Sequence, residues 1–457
     1  MTRYFATEAL LPGGWARDVA ITVDSRGDFA AVEPGASRDG AQVLAGPALP
    51  GMANVHSHAF QRAMAGLTEV RGAPDDDFWT WRELMYRFVA RLTSEQAFAV
   101  ARHLYIEMLC AGYTAVGEFH YVHNQSDGTP YAERSEFLLA HLAAARETGI
   151  GVTLLPTLYR WSDFGARGLQ PRQRRFDTDP AAILAMVERA RVVAANRPDV
   201  RVGIAPHSLR AADPASLAEL VAGITAIDPS APIHLHVAEQ TKEVDDCIAW
   251  SGQRPVEWLL ANLPVDARWC LVHATHMTSD ETTALAASGA IAGLCPTTEG
   301  NLGDGIFPLV DFRAAGGRYG IGGDSHISRS PAEELRMLEY VQRLTRRKRN
   351  LTVRADSPAV GTTLWTEAAA GGAQALGRRM GVIAQGSRAD LVVLDATHAD
   401  LAARGGDAIA NALIFSGATN LVRDVMVGGH WVVRDAHHPV AEAAASDYRY
   451  TLAELLG

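Results

Sequence analysis

The chain is poor in lysine, in cysteine and in long apolar runs, and each shortage closes off a class of protein. Only two of its 42 basic residues are lysines, Lys242 and Lys348; the rest are arginines. Its four cysteines, Cys110, Cys247, Cys270 and Cys295, lie far apart without CxxC spacing. They read as reduced, mostly buried thiols of a cytoplasmic protein, not as a disulfide frame. No stretch approaches the ~18 apolar residues of a membrane helix. The opening MTRYFATEALLPGG carries Glu8 and lacks the apolar core of a signal peptide. A formal charge of −10 argues against non-specific binding to nucleic acid or to an anionic membrane. The arginine-rich RLTRRKRN near residue 346 reads as the solvated end of a helix. The expectation is a soluble cytoplasmic enzyme with no nucleic-acid or membrane partner.

What is present is a large apolar fraction, 48% over 457 residues, enough to bury a core and more than one domain. Residues 1–48 alternate apolar and polar in short runs such as DVAITVD, the pattern of a small β unit. From Leu49 onward, strand-like segments alternate with amphipathic helical ones. The strands end near Val55, Phe119, Leu158, Ala205, Val237, Val272, Leu294 and Ile321. One helix starts at Thr93 with Gln96 three residues on, a capping-box signal. Eight strands each followed by a helix predict a (β/α)8 TIM barrel over 49–378. After about residue 380 the strand pattern returns in GSRADLVVLDA and VRDVMVGGHWVV. Residues 379–457 are therefore expected to join 1–48 in one small β-sandwich beside the barrel.

The first barrel strand ends in NVHSH. Residues two apart share a face of a strand, so His56 and His58 point the same way and can grip one transition-metal ion, although an HxH alone is a weak signal. The fifth strand reads IHLHVAEQ. His236 is preferred over the deeper His234 as a ligand, and Glu239 just beyond suits a base that reaches water. His273 closes the sixth strand. Asp324 ends the eighth after two glycines, where it reads either as a ligand or as a helix N-cap. All these residues fall at carboxyl ends of strands, the rim where barrel enzymes place chemistry.

The PGMANVHSH opening, HxxE, the strand-six histidine, GGDSHIS and the closing GSRADLVVLD together resemble the amidohydrolase superfamily over nearly the whole chain. Two-metal members carry a carboxylated lysine on the fourth strand. Here that strand reads RVGIAPHSL, so the resemblance implies one Zn²⁺ per chain, held by His56, His58, His236 and Asp324. Within the superfamily the chain most resembles the formimidoylglutamate deiminases. The supporting residues are Gln61 in HSHAFQRAMAG, Arg82 in FWTWRELMY, Tyr121 in GEFHYVH, and His207 with Arg210 in APHSLRA. The resemblance implies that these five hold a small dicarboxylate substrate. It also implies that Glu239, His273 and Asp324 act in catalysis, and that the chain is a homodimer acting in histidine degradation. Arginine suits such a substrate because its planar fork can hold a carboxylate through two charge-assisted bonds. Trp79 and Trp81, flanking Arg82, read as an apolar patch anchoring a long loop. The rival expectations are a deaminase of a nucleobase, nucleoside or S-adenosylhomocysteine, and a metal-free scaffold.

Overall fold

A strand of an all-parallel sheet is covered on both faces, and the segments Tyr113–His120 and Gly151–Leu158 are buried at every position. They belong to a closed barrel in the computed structural model, which describes residues 1–70, 78–417 and 420–457, with the side chains of 78–80 excepted. Its eight parallel strands are Met52–Ser57, Tyr113–His120, Gly151–Leu158, a split fourth (Val200–Val202 and Ala205–Pro206), Ile233–Val237, Trp269–His273, Ile291–Leu294 and Arg318–Ile321. The ring closes from eighth to first strand through Ile321 and Asn54, and from fourth to fifth through the Ile204–Ile233 and Ser208–His236 bridges. Every strand ends within two residues of its expected position.

Helices between the strands cover the outside of the barrel. The helix Ser94–Ala111 opens with the expected reciprocal cap: Thr93 Oγ1 accepts from the Gln96 amide at 3.2 Å, and Gln96 Oε1 accepts from the Thr93 amide at 3.1 Å. The helix Val360–Ala375 lies against the barrel, and there glycine is a steric demand. A Cβ on Gly371 would stand 1.8 Å from the Tyr319 carbonyl oxygen. Among the described residues, no helix is long and apolar enough to cross a membrane.

Both ends of the chain build a second, eight-stranded sheet. Thr2–Leu11, Gly14–Val23 and Phe29–Glu33 form its amino-terminal side, and Leu391–Leu394, Val422–Val427 and His430–Val433 its carboxy-terminal side. Ala48–Pro50 joins the two, parallel to the first strand and antiparallel to Leu391–Leu394. The tail differs from the strand pattern expected after residue 380, because its last element is the helix Ala441–Leu456. Only Ala444, Thr451 and Leu455 of that helix are buried, so its apolar stripe is too thin to read in the sequence. It packs on Ser94–Ala111, where Asp447 pairs with Arg102 at 2.6 Å.

Candidate metal centre and active site

His56 and His58 leave the first barrel strand on one face, as its two-residue period requires. Their Nε2 atoms are 3.1 Å apart. His236 Nε2 lies 2.9 Å from His56 Nε2, and Asp324 Oδ1 is 3.4 Å from both His56 Nε2 and His58 Nε2. The four donor atoms all fall within 4.8 Å of one another. Around one zinc ion, tetrahedral nitrogen ligands sit roughly 3.3 Å apart, so the spacing fits a single cation.

The tautomers fit as well. His58 Nδ1 is 2.8 Å from the Phe119 carbonyl, and His236 Nδ1 is 3.0 Å from that of His207. A carbonyl only accepts, so each Nδ1 carries the proton and each Nε2 turns a lone pair inward. Inward lone pairs at such short range repel unless a cation stands among them. Burial, then the nearby His58, draw His56 down to about 3, so the ring is neutral and ready to ligate. Burial alone would favour a protonated Asp324. The surrounding imidazoles of His56, His58 and His273 override it and hold the carboxyl well below the usual range.

The eighth strand reaches this cluster because Gly322 has no side chain: a Cβ there would meet the His56 backbone at 2.9 Å. Asp324 and His273 both take left-handed backbone conformations, φ 49° and 67°, that non-glycine residues rarely adopt. Strain at these two positions turns their side chains over the barrel mouth. It also marks the rim as the place where the fold gives up backbone ease.

Glu239 and His273 form the second group. Glu239 Oε1 is 3.6 Å from His273 Nε2, and His273 also faces Glu299 Oε1 at 3.4 Å and Asp324 Oδ2 at 3.9 Å. Burial opposes charge on His273, but Glu239, Glu299 and Asp324 outweigh it and push the ring up to about 10. Glu239 is raised to about 7, mainly by burial, with His273 pulling the other way. Its loop is fastened by Glu243, whose carboxylate accepts from the Ala238 and Glu239 amides at 3.2 and 3.1 Å. Deeper in the same strand, His234 Nε2 is 2.7 Å from the Ala375 carbonyl. Lys242 stands on the following helix beside Asp246, away from the fourth strand.

A pocket opens onto this centre and is lined by His58, His236, Glu239, His273 and Asp324. Gln61, Arg82, Tyr121, His207 and Arg210 line it too, so the structure brings together all five residues named for the substrate. Gln61 Nε2 donates to Tyr121 Oη at 2.9 Å. Arg210 is buried. Desolvation disfavours its charge, but Glu243 and Tyr159 keep the guanidinium above its usual value. Arg82 lies over the Tyr86 ring, 5.6 Å from its centroid. Trp81 lines the cavity on the helix Phe78–Val89, and its partner in the sequence reading, Trp79, lies outside the described side chains. Sequence reasoning did not find Tyr86, Tyr159, Glu243, Glu299 or Asp304. The one signal available was an acidic residue shortly past a strand end, Glu243 six residues after Val237 and Glu299 five after Leu294.

Acid should loosen this fold. Nine imidazoles, eight of them buried (His56, His58, His120, His123, His141, His234, His236 and His326) and His207 partly so, are held below their ordinary value, each chiefly by desolvation. Against them, among the described residues, stand four buried carboxyls held above theirs: Glu118, Glu239, Asp304 and Glu334. As pH falls below about 6.5, the unfolded chain takes up imidazole protons that the fold refuses, and the carboxyls offset only part of this. Stability should therefore fall from pH 6.5 to 4.5 by about 1.4 kcal/mol per unit for each net proton. Urea midpoints across that range would check it, and a flat or rising profile would contradict it.

The family model described as "Amidohydrolase family" matches residues 48–432, and "Formimidoylglutamate deiminase HutF, N-terminal domain" matches 1–45. The chain is 54% identical to the formimidoylglutamate deiminase of Pseudomonas aeruginosa, with all of both chains covered. It is 30% identical to a 5-methylthioadenosine/S-adenosylhomocysteine deaminase of Natronomonas pharaonis, covering 96% of this chain and 94% of that one. The crystal structure of an amidohydrolase from Brucella melitensis superposes with a TM-score of 0.95 at 46% identity, both chains being fully covered.

Proposed function

The chain belongs to the amidohydrolase family, a metal-dependent hydrolase by fold and by relatives, and from that premise we propose that it deiminates N-formimino-L-glutamate to N-formyl-L-glutamate and ammonia in histidine degradation. One observation carries the choice of substrate beside the kinship. A single cavity holds two arginines together with a one-cation site and a buried glutamate poised near neutrality. A deaminase of flat purine rings has no need of two guanidinium groups there.

His56, His58, His236 and Asp324 would hold the cation, one per chain, and imidazole-rich ligation favours zinc. Such an ion lowers the pKa of water toward about 7 and so supplies a nucleophile at neutral pH. Glu239 takes the proton of the attacking water and delivers it to the terminal nitrogen of the amidine. The carbon–oxygen bond forms, the carbon–nitrogen bond breaks, and ammonia leaves. His273, charged among three carboxylates, orients the water with Asp324 and stabilises the charge that develops on the adduct's oxygen. Arg82 and Arg210, with Tyr121 and His207, grip the two carboxylates, and Gln61 helps to place the formimino end. A homodimer and a cytoplasmic location accompany this reading through family resemblance, and sedimentation and fractionation would test them.

Ammonia release from N-formimino-L-glutamate should exceed that from guanine, adenosine and S-adenosylhomocysteine, and chelation should abolish it. Release from a nucleoside alone would transfer the chain to its rival reading. Arg82→Met should mainly raise KM, because a carboxylate remote from the reacting carbon is held equally in ground and transition states. The loss of a charge-assisted pair is worth roughly 10- to 100-fold in KM. A fall in kcat at constant KM would reassign Arg82 to the chemical step.

A further inference from the structure

Asp304 follows the short helix Pro296–Leu302 in the loop NLGDG, between two glycines in left-handed conformations, Gly303 and Gly305. Its backbone is pinned on both sides. The amide donates to the Glu299 carbonyl at 3.0 Å, and its own carbonyl faces His276 Nε2 at 2.8 Å. The residue is 4% exposed. One carboxylate oxygen, Oδ1, accepts from Gln240 Nε2, whereas Oδ2 is buried with no hydrogen-bond partner among the described residues. An oxygen of Asp304, one of Glu239 and a ring nitrogen of His273 lie within 4.8 Å of one another.

A second buried carboxylate beside the catalytic one is costly unless a cation or donor answers it. The substrate proposed above brings both. A formamidine is a strong base that carries a proton at neutral pH, and its terminal nitrogen then presents two N–H groups. The product amide is neutral and carries an oxygen acceptor where that nitrogen was. A nitrogen donor sits about 2.9 Å from each acceptor, so two oxygens no more than 4.8 Å apart can share one nitrogen.

We propose that Asp304 and Glu239 form a two-carboxylate clamp on the terminal amidinium nitrogen, Asp304 being the residue that selects the cationic substrate over the neutral product. The assignment rests on the deiminase reading of the adjoining pocket, which Glu239 and His273 line. Burial, and then Glu239, push the empty Asp304 carboxyl up to about 9, a penalty that a bound amidinium would relieve. The clamp holds the nitrogen that must leave beside the glutamate that must protonate it. Once ammonia departs, the neutral amide loses its hold and is released.

The test compares the zinc-loaded wild type with Asp304→Asn, a substitution of nearly equal shape. With the variant, kcat/KM for N-formimino-L-glutamate should fall roughly 10- to 100-fold, while inhibition by neutral N-formyl-L-glutamate and zinc content per chain stay at wild-type levels. Equal weakening of substrate and product, unchanged kinetics or a drop in zinc would each overturn the assignment, the last by making Asp304 a metal ligand. A second measurement needs no variant: N-acetimidoyl-L-glutamate, a cation, should inhibit the wild type more tightly than neutral N-acetyl-L-glutamate, and equal inhibition would remove the clamp. A wild type that releases no ammonia from N-formimino-L-glutamate would instead defeat the deiminase reading itself.

Discussion

Glu239→Gln is expected to keep its metal and its fold while kcat falls by about 10²–10⁴, the usual worth of general acid–base help. The glutamine matches glutamate in shape but cannot carry a proton between water and the leaving nitrogen. Its backbone is held independently, by the Glu243 carboxylate on the amides of Ala238 and Glu239, so the loop should not move. His236, proposed as a metal ligand, keeps its carbonyl partner at His207 and should bind as before. Because proton transfer belongs to the transition state, kcat and kcat/KM should drop together. The pH profile gives a second reading. Only ionised Glu239 can accept a proton, and burial raises its carboxyl to about 7, so wild-type activity should decline as pH falls through that carboxyl's titration. A bound divalent cation favours the ionised form and places this limb below 7. In the glutamine variant the limb should flatten. Turnover close to wild type, or an unchanged acid limb with metal present, would remove Glu239 from the mechanism.

The parts of this site that the sequence discloses are those carried by strands. A period of two sends His56 and His58 to one face whatever the loops do, and buried runs such as IHLHV can hardly fold except as barrel strands. Asp324 reads in the sequence as either ligand or cap, and in the structure its Oδ1 stands 3.4 Å from two imidazoles, the placement that supports the ligand reading. The helices that follow the strands hide the rest. Glu299 reaches His273 from the helix Pro296–Leu302, and Glu243 reaches the Glu239 amide from the next helix turn. Both are ordinary members of a set of 52 acidic residues until three-dimensional proximity singles them out. Arg82 and Arg210 are likewise two among forty arginines, and no periodicity marks them; only their position after barrel strands and the family resemblance single them out. The terminal helix escaped for a different reason, since three buried residues leave too thin a stripe to set against the strands before it.

Removing the metal should abolish activity and lower stability together, and His236→Ala should reproduce both effects at once. The lone pairs of His56, His58 and His236 converge at 2.9–3.1 Å, an arrangement that costs free energy unless a cation occupies it. Binding confined to the folded chain stabilises it by RT ln(1 + [L]/Kd), about 4 kcal/mol at a thousandfold excess over Kd. With an unfolding entropy of roughly 2 cal/mol/K per residue over 457 residues, the midpoint should fall by roughly 4 °C on chelation and recover with added Zn²⁺. In His236→Ala the site loses an inward lone pair and the increment from added zinc should shrink with it, while activity falls by several orders of magnitude. Glu239→Gln provides the contrast, because it should lose turnover yet keep the full thermal response to zinc. Scanning calorimetry of the three proteins with and without chelator separates the ligand from the base. An unaltered zinc response in His236→Ala would take that imidazole out of the ligand set and with it the four-donor site on which the catalytic assignment of Asp324 depends.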